Sequence, residues 1–433
     1  MNKRVLLEVG GIIETPDRVI YGPSYILLNK ATIEATGAGE YLGDRRDLTV
    51  IARRNRLAMP GLVNTHGHAA MTLFRSAGDD VPLQKWLSDK IYPLESQLTK
   101  EAVYWGTQLA CWEMATSGTT CFTDMYFYMD ESARAVVESG LRGMLSIGLL
   151  GFTDEMQVQG LSDSKTFHDT WQGAGDGRIS VMLGPHAPYT CPPAFLAKVV
   201  DLSQLLDVPL QIHLSETAHE VTESVREHGT SPIGLMHNLG VLERPVLAAH
   251  CVHVDENDIQ LLAAHDVRVA HNPQSNLKLG SGIAPALQMR RAGITLGLGT
   301  DGAASNNNLD MFEELRLAAT LHKGVLQDAT AITAPEALAM ATVDGARALF
   351  RTPGAGTLSV GSVADIVLVN LESPRFLPTY DLVSNVVYSA SAEDVTDVFV
   401  AGQEVVRKGD PVTLDTEQIR FHVERITRNF QRT

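Results

Sequence analysis

Between residues 60 and 350 the chain alternates short apolar runs with longer stretches whose apolar residues recur at helical spacing. The strand-like runs are GLVNTHGH, TTCFTDMY, GMLSIGLL, ISVMLGPH, PLQIHLSE, VLAAHCVH, VRVAHNPQ and ITLGLGTDG. They are continuously apolar rather than alternating, as expected of parallel strands covered on both faces. Between them lie segments such as EAVYWGTQLACWEMATSG, which keeps helical spacing and closes on Gly118. Eight such units in about 290 residues predict an α/β fold, a (β/α)8 TIM barrel over 59–355. A doubly wound open sheet is the alternative.

The two ends are patterned differently. Residues 1–58 carry β-type runs such as RVIYGPSYILLN, and the style returns in GTLSVGSVADIVLVN and DVTDVFVAGQEVVRKGD. Together they predict a small β-sandwich-like domain built from both termini, 1–58 with 356–433. Its tail, Thr416 to Gln431, places Ile419, Val423, Ile426 and Phe430 on one face of an amphipathic helix.

The first strand-like run ends in His66 and His68. Residues i and i+2 on a strand point the same way, so two imidazoles would converge. Composition alone gives roughly half of one H-x-H in such a chain, so the pair decides nothing by itself. The other strand ends do. The fourth run ends in His186, the fifth carries His213, the sixth His250 and the seventh His271, and the eighth ends in Asp301. TIM-barrel chemistry gathers at these C-terminal strand ends. His66, His68, His213 and Asp301 supply a four-donor set from three strands, suited to one divalent ion per chain, zinc or alternatively iron. Asp301 could instead cap the GAASNNN turn, but the small residues of the preceding LGLGT predict close backbone approach to a ligand.

Glu216, three residues past His213, is placed to carry protons between a water and a substrate; it could otherwise be a solvated carboxylate favouring the helix dipole. His250 could ligate a second metal or orient the attacking water. Two-metal sites need a bridging carboxylate or modified lysine at the fourth strand end, and MLGPHAPYT has none. One metal is therefore expected, with His250 and Asp301 joining Glu216 as the catalytic set. His271 stays outside it.

Composition narrows the partners. The balance of 51 Asp+Glu against 35 Lys+Arg, net charge -16, argues against a nucleic-acid surface. No apolar run reaches membrane-spanning length. MNKRVLLEVGGIIETPDRV lacks a long apolar core, so no secretory leader is expected. The four cysteines are widely spaced, and reduced thiols and a cytoplasmic location are expected. Self-association into a homo-oligomer stays open.

In their order, PGLVNTHGH, HLSE, AAHCVH, HNPQSNLKLG and GTDGAASNNNLD resemble the amidohydrolase superfamily. HAAMTLFRSAGDDVPLQKWLSDKIYPLE, TDMYFY and GPHAPYTC are similar to its branch of 5'-methylthioadenosine/S-adenosylhomocysteine deaminases. The resemblance implies a metal-dependent hydrolytic deaminase acting on a small-molecule nucleoside at C6 of its adenine. It implies that Trp86 and Glu95 contact the sugar, that His186 and Glu216 face the purine, and that Arg142 holds the homocysteine carboxylate. No second arginine follows Arg142 in LSIGLLGFT. Guanine deaminases and s-triazine hydrolases share many of these motifs. A non-enzymatic scaffold is disfavoured, because such relatives lose ligands and this chain keeps them.

Overall fold

A computed structural model describes residues 4–351 and 354–430. Eight parallel strands form the barrel: Leu62–Asn64, Thr119–Tyr126, Arg142–Leu149, Ile179–Val181, Leu210–Leu214, Val246–His250, Arg268–His271 and Leu296–Leu298. All eight of the apolar runs contain one. Leu183 bridges the two halves through Leu210, and the Thr65 N–H donates to the Leu298 carbonyl at 2.8 Å, closing the ring. Thr119–Tyr126 is buried at every position, which is why its sequence shows no alternation.

The intervening helices obey local rules. Lys100–Thr116 begins where the Thr99 hydroxyl accepts from the Ala102 N–H, and the chain leaves it through Gly118 at φ +91°. Ala218–His228 is capped the same way by Thr217 and ends at Gly229. The tail forms the helix Thr416–Phe430, with Ile419 and Ile426 buried. It lies on Lys100–Thr116, where the His422 and Trp105 rings stack with centroids 4.0 Å apart. Gln431, the last residue of the expected helix, falls outside the described residues, as do 1–3 and 432–433 of the terminal unit and 352–353 near the barrel's end. Among the described residues no helix is long and apolar enough to cross a membrane, and the four cysteines are free and buried.

The end segments are joined through their strands. Their hydrogen bonds form one eight-stranded sheet. Arg4–Thr15 pairs in parallel with Leu48–Pro60, and Leu48–Pro60 pairs antiparallel with Ile366–Asn370, so the two termini share one hydrogen-bonded seam. The sheet's edge strand, Thr32–Ala38, meets the segment entering Ile366–Asn370, with the Ile33 N–H donating to Ser362 and the Ala364 N–H to Ala31. Leu7, Ile26, Ile33, Ile366 and Phe399 fill the space beneath.

Arg142 requires a correction. It opens the strand Arg142–Leu149 at its N-terminal end, and at roughly 3.3 Å per residue the far end lies about 23 Å away. Its guanidinium donates to both carboxylate oxygens of Asp365, at 2.8 and 3.2 Å. Arg351 also reaches Asp365, at 3.4 Å, and the Ala401 N–H donates to it at 2.8 Å. Burial alone would raise the Asp365 carboxyl, but the two guanidiniums hold it below the usual range. Arg142 thus ties the floor of the barrel to the terminal sheet and cannot reach a ligand at the opposite end. Arg142→Ala leaves a buried carboxylate short of a partner and should lower stability by about 3–5 kcal/mol. Urea unfolding measures this, and an unchanged midpoint would contradict the tie.

Candidate functional site

The strand ends are shaped before any ligand is considered. Ser215, His250, Cys251 and Asp301 all have positive φ, between 46° and 74°. Non-glycine residues enter this region at a cost of order 1–3 kcal/mol, which marks turns held for a purpose. The small residues of LGLGT serve a purpose different from the expected approach to a ligand. A Cβ at Gly299 would lie 2.8 Å from the His66 nitrogen and 2.5 Å from Asn272 Oδ1, so glycine lets the last strand press against the backbone that carries His66. The Asp301 N–H then donates to the His66 carbonyl at 3.0 Å.

This closure brings the donors together. Asp301 Oδ1 lies 3.6 Å from His66 Nε2 and 3.4 Å from His68 Nε2, and His213 Nε2 lies 3.4 Å from His68 Nε2. His66, His68 and His213 place their ligand atoms within 4.8 Å of one another, as do His66, His250 and Asp301. Tautomers are set from behind. His68 Nδ1 meets the Met125 carbonyl and His213 Nδ1 the His186 carbonyl, both at 2.7 Å. A carbonyl only accepts, so each Nδ1 carries the proton and each Nε2 turns its lone pair inward. His66 Nε2 is buried and has no hydrogen-bond partner among the described residues. Burial drives His66 and His213 well below the ordinary imidazole range, which keeps them neutral as metal binding requires. Burial would raise Asp301, but the imidazoles of His68, His66 and His250 hold it well below the usual carboxylate range. Three neutral imidazoles and one carboxylate fit a divalent cation.

Groups that the sequence reading passed over hold these donors in place. Asp301 Oδ2 accepts from the hydroxyls of Ser275, at 2.7 Å, and Ser305, at 2.8 Å. His250 Nδ1 pairs with Asn276 Oδ1 at 2.8 Å, which aims its Nε2 toward Glu216, 4.0 Å away. Glu216 is buried, and desolvation raises its carboxyl. Ser281 donates to it at 3.3 Å. Behind it, Glu220 accepts the backbone N–H groups of Ser215 and Glu216, both at 2.8 Å, and so braces the turn that points Glu216 inward. The only signals available for these were spacings: Glu220 four residues past Glu216, and Ser305 four past Asp301.

A cavity of about 290 Å³ opens above the cluster, close to the lower end of small-molecule sites, roughly 300–1,000 Å³. His68, His186, His213, Glu216, His250 and Asp301 line its inner end. Trp86 and Glu95, on the helical segment 83–95, line it further out. The Tyr126 hydroxyl donates to Glu95 at 2.8 Å, another partner not foreseen. His186 bonds Thr190 through Nδ1 at 3.0 Å, and burial lowers its pKa to about 4. His271 packs on His322, with ring centroids 5.6 Å apart, and does not line the cavity. Arg142 does not line it either.

A family model described as "Amidohydrolase family" matches residues 57–405. The chain belongs to the amidohydrolase family. Within it, the chain is 50% identical over 376 residues to a 5-methylthioadenosine/S-adenosylhomocysteine deaminase of Dictyoglomus thermophilum, covering 87% of this chain and 88% of the relative. A protein of the same name from Moorella thermoacetica is 47% identical over 421 residues, covering 97% and 98%. Among solved amidohydrolase-fold structures, an adenosine deaminase from Xanthomonas campestris with bound zinc superposes at TM-score 0.94 and 35% identity, covering 99% of each chain.

The donor geometry makes a graded prediction about metal retention. His213→Ala or Asp301→Ala removes a donor and should leave well under one equivalent of metal after dialysis. Ser305→Ala removes only a hydroxyl that orients Asp301 and should weaken metal affinity by roughly 10–100-fold. Elemental analysis with chelator competition reads both; full metal in His213→Ala would contradict the assignment.

Proposed function

We propose that this amidohydrolase hydrolytically deaminates the adenine of an adenosine derivative, 5'-methylthioadenosine or S-adenosylhomocysteine, releasing ammonia and the inosine analogue. The observation that carries the reading is the order of groups along one cavity. Of the four candidate ligands, His68, His213 and Asp301 line its inner end with His66 clustered against them, and the buried Glu216 and His250 stand beside them. Glu95 lines the same cavity, and we assign it to the ribose hydroxyls of the nucleoside. Relatives about half identical in sequence bear the name of this activity.

A divalent ion, which we take to be one zinc per chain, would supply Lewis acidity that brings water ionisation toward neutral pH. The chain's own groups do the rest. Glu216 takes the proton of the attacking water and passes it to ring N1, which makes C6 electrophilic. Its desolvated carboxyl suits this, because a raised pKa favours holding a proton between transfers. His250, fixed by Asn276, and Asp301, fixed by two serines, orient the attacking oxygen toward C6. A tetrahedral C6 bearing hydroxyl and amino groups forms; Asp301 or Glu216 takes the hydroxyl proton and delivers it to the amino group, and ammonia departs as the C6 carbonyl forms. A non-ligand glutamate shuttling protons is also the logic of the zinc base deaminases, which use a different fold. Trp86 and Glu95 hold the sugar, and His186 faces the purine.

Glu216→Gln removes the shuttle and leaves every donor of the metal set in place. Ammonia release should fall by roughly 10²–10⁴ while metal content stays at wild-type level. Near-full kcat in that variant would contradict the mechanism.

A further inference from the structure

The same cavity has an outer end that the chemistry leaves unused. It opens among Tyr92, Phe152 and Tyr189, whose side chains are 47%, 62% and 46% exposed. Leu83, Leu87 and Leu150 complete the wall between this mouth and Glu95. The lining's ionised or ionisable acids are Glu95, Glu216 and Asp301, and among the described residues no lysine or arginine lines it. Lys85 and Lys90 are exposed on the helical segment 83–95 but do not line the cavity. Lys278, beside the lining residue Leu279, donates to Asp79 at 2.6 Å and also holds Asn307. Arg142 is spent on Asp365 at the barrel's other end.

An amino-acid tail entering this mouth would bring a carboxylate. It would face leucine and phenylalanine at the mouth and the carboxyl of Glu95 further in, with the lining histidines at the inner end, and would find no lysine or guanidinium in the lining to replace its hydration. An alkyl thioether loses nothing there and gains apolar contact, including sulfur against aromatic rings. We infer that this enzyme selects adenosine derivatives whose 5' substituent is an uncharged, apolar thioether, and discriminates against the zwitterionic tail of S-adenosylhomocysteine. The inference rests on the proposed deaminase reading and names which of its substrates the pocket is built for.

The test is kcat/KM for ammonia release from 5'-methylthioadenosine, its 5'-S-propyl analogue and S-adenosylhomocysteine. The two alkyl thioethers should agree within about threefold, and S-adenosylhomocysteine should be lower by about tenfold or more. Phe152→Arg places a cation at the exposed mouth. It should raise the kcat/KM ratio of S-adenosylhomocysteine to 5'-methylthioadenosine by roughly tenfold, the thioether itself losing an aromatic contact, while an unchanged circular-dichroism melting curve reports correct folding. Wild-type enzyme that turns over S-adenosylhomocysteine as well as the thioethers overturns the inference but leaves the deaminase reading standing. A substrate ratio unmoved by Phe152→Arg overturns the placement of the tail at this mouth. Ammonia from none of the three compounds overturns the deaminase reading itself, and the inference falls with it.

Discussion

Three imidazole nitrogens and a carboxylate oxygen converge on one point inside this protein, and the catalytic half of the barrel is organised to hold them there. His66, His68, His213 and Asp301 lose water in doing so, and their lone pairs face one another at 3.4–3.6 Å where the closest pairs meet. Packing alone gives no reason for such an arrangement, since buried donors and acceptors that go unpaired are costly. A divalent cation answers both problems together. The surrounding structure is consistent with that purpose: carbonyls fix two tautomers, two serine hydroxyls fix Asp301, and four strand-end residues sit at positive φ to aim the side chains.

The barrel divides its labour by strand end. Charged groups at the C-terminal ends are aimed into a cavity, whereas those at the N-terminal ends are closed on each other, as Arg142, Arg351 and Asp365 are. The same residue type therefore means different things a few residues apart on one strand. A guanidinium at the start of Arg142–Leu149 is a fastening between barrel and terminal sheet, and the far end of that strand meets the cavity at Gly148 and continues into Leu150. The outer cavity is lined by apolar and aromatic side chains, with no lysine or arginine among the described residues.

Much of the fold was legible because parallel strands buried on both faces write uninterrupted apolar runs, and all eight of those runs hold a barrel strand. The converging donors were legible because strand ends carried histidines in excess of chance and i, i+2 spacing dictates a shared direction. The form of the terminal sheet was not legible. Whether Leu48–Pro60 pairs within one sheet or faces a second is settled by contacts between residues some 300 apart, which local pattern does not encode. Nor was the direction of Arg142 legible, because its partner Asp365 lies 223 residues away. The bracing groups Ser275, Ser305, Asn276 and Glu220 were hidden for a related reason. Serines, asparagines and glutamates are common at helix starts, and only the folded geometry separates those that hold a ligand from those that cap a helix.

Nucleoside deamination by this protein depends most directly on the converging donors forming a single metal centre. Metal-stripped protein titrated with zinc, with ammonia release from 5'-methylthioadenosine followed at each addition, measures this in one experiment. The account predicts that activity starts near zero, rises in proportion to added zinc and breaks sharply at one ion per chain. A break at two ions, or full activity in the metal-stripped protein, would contradict it.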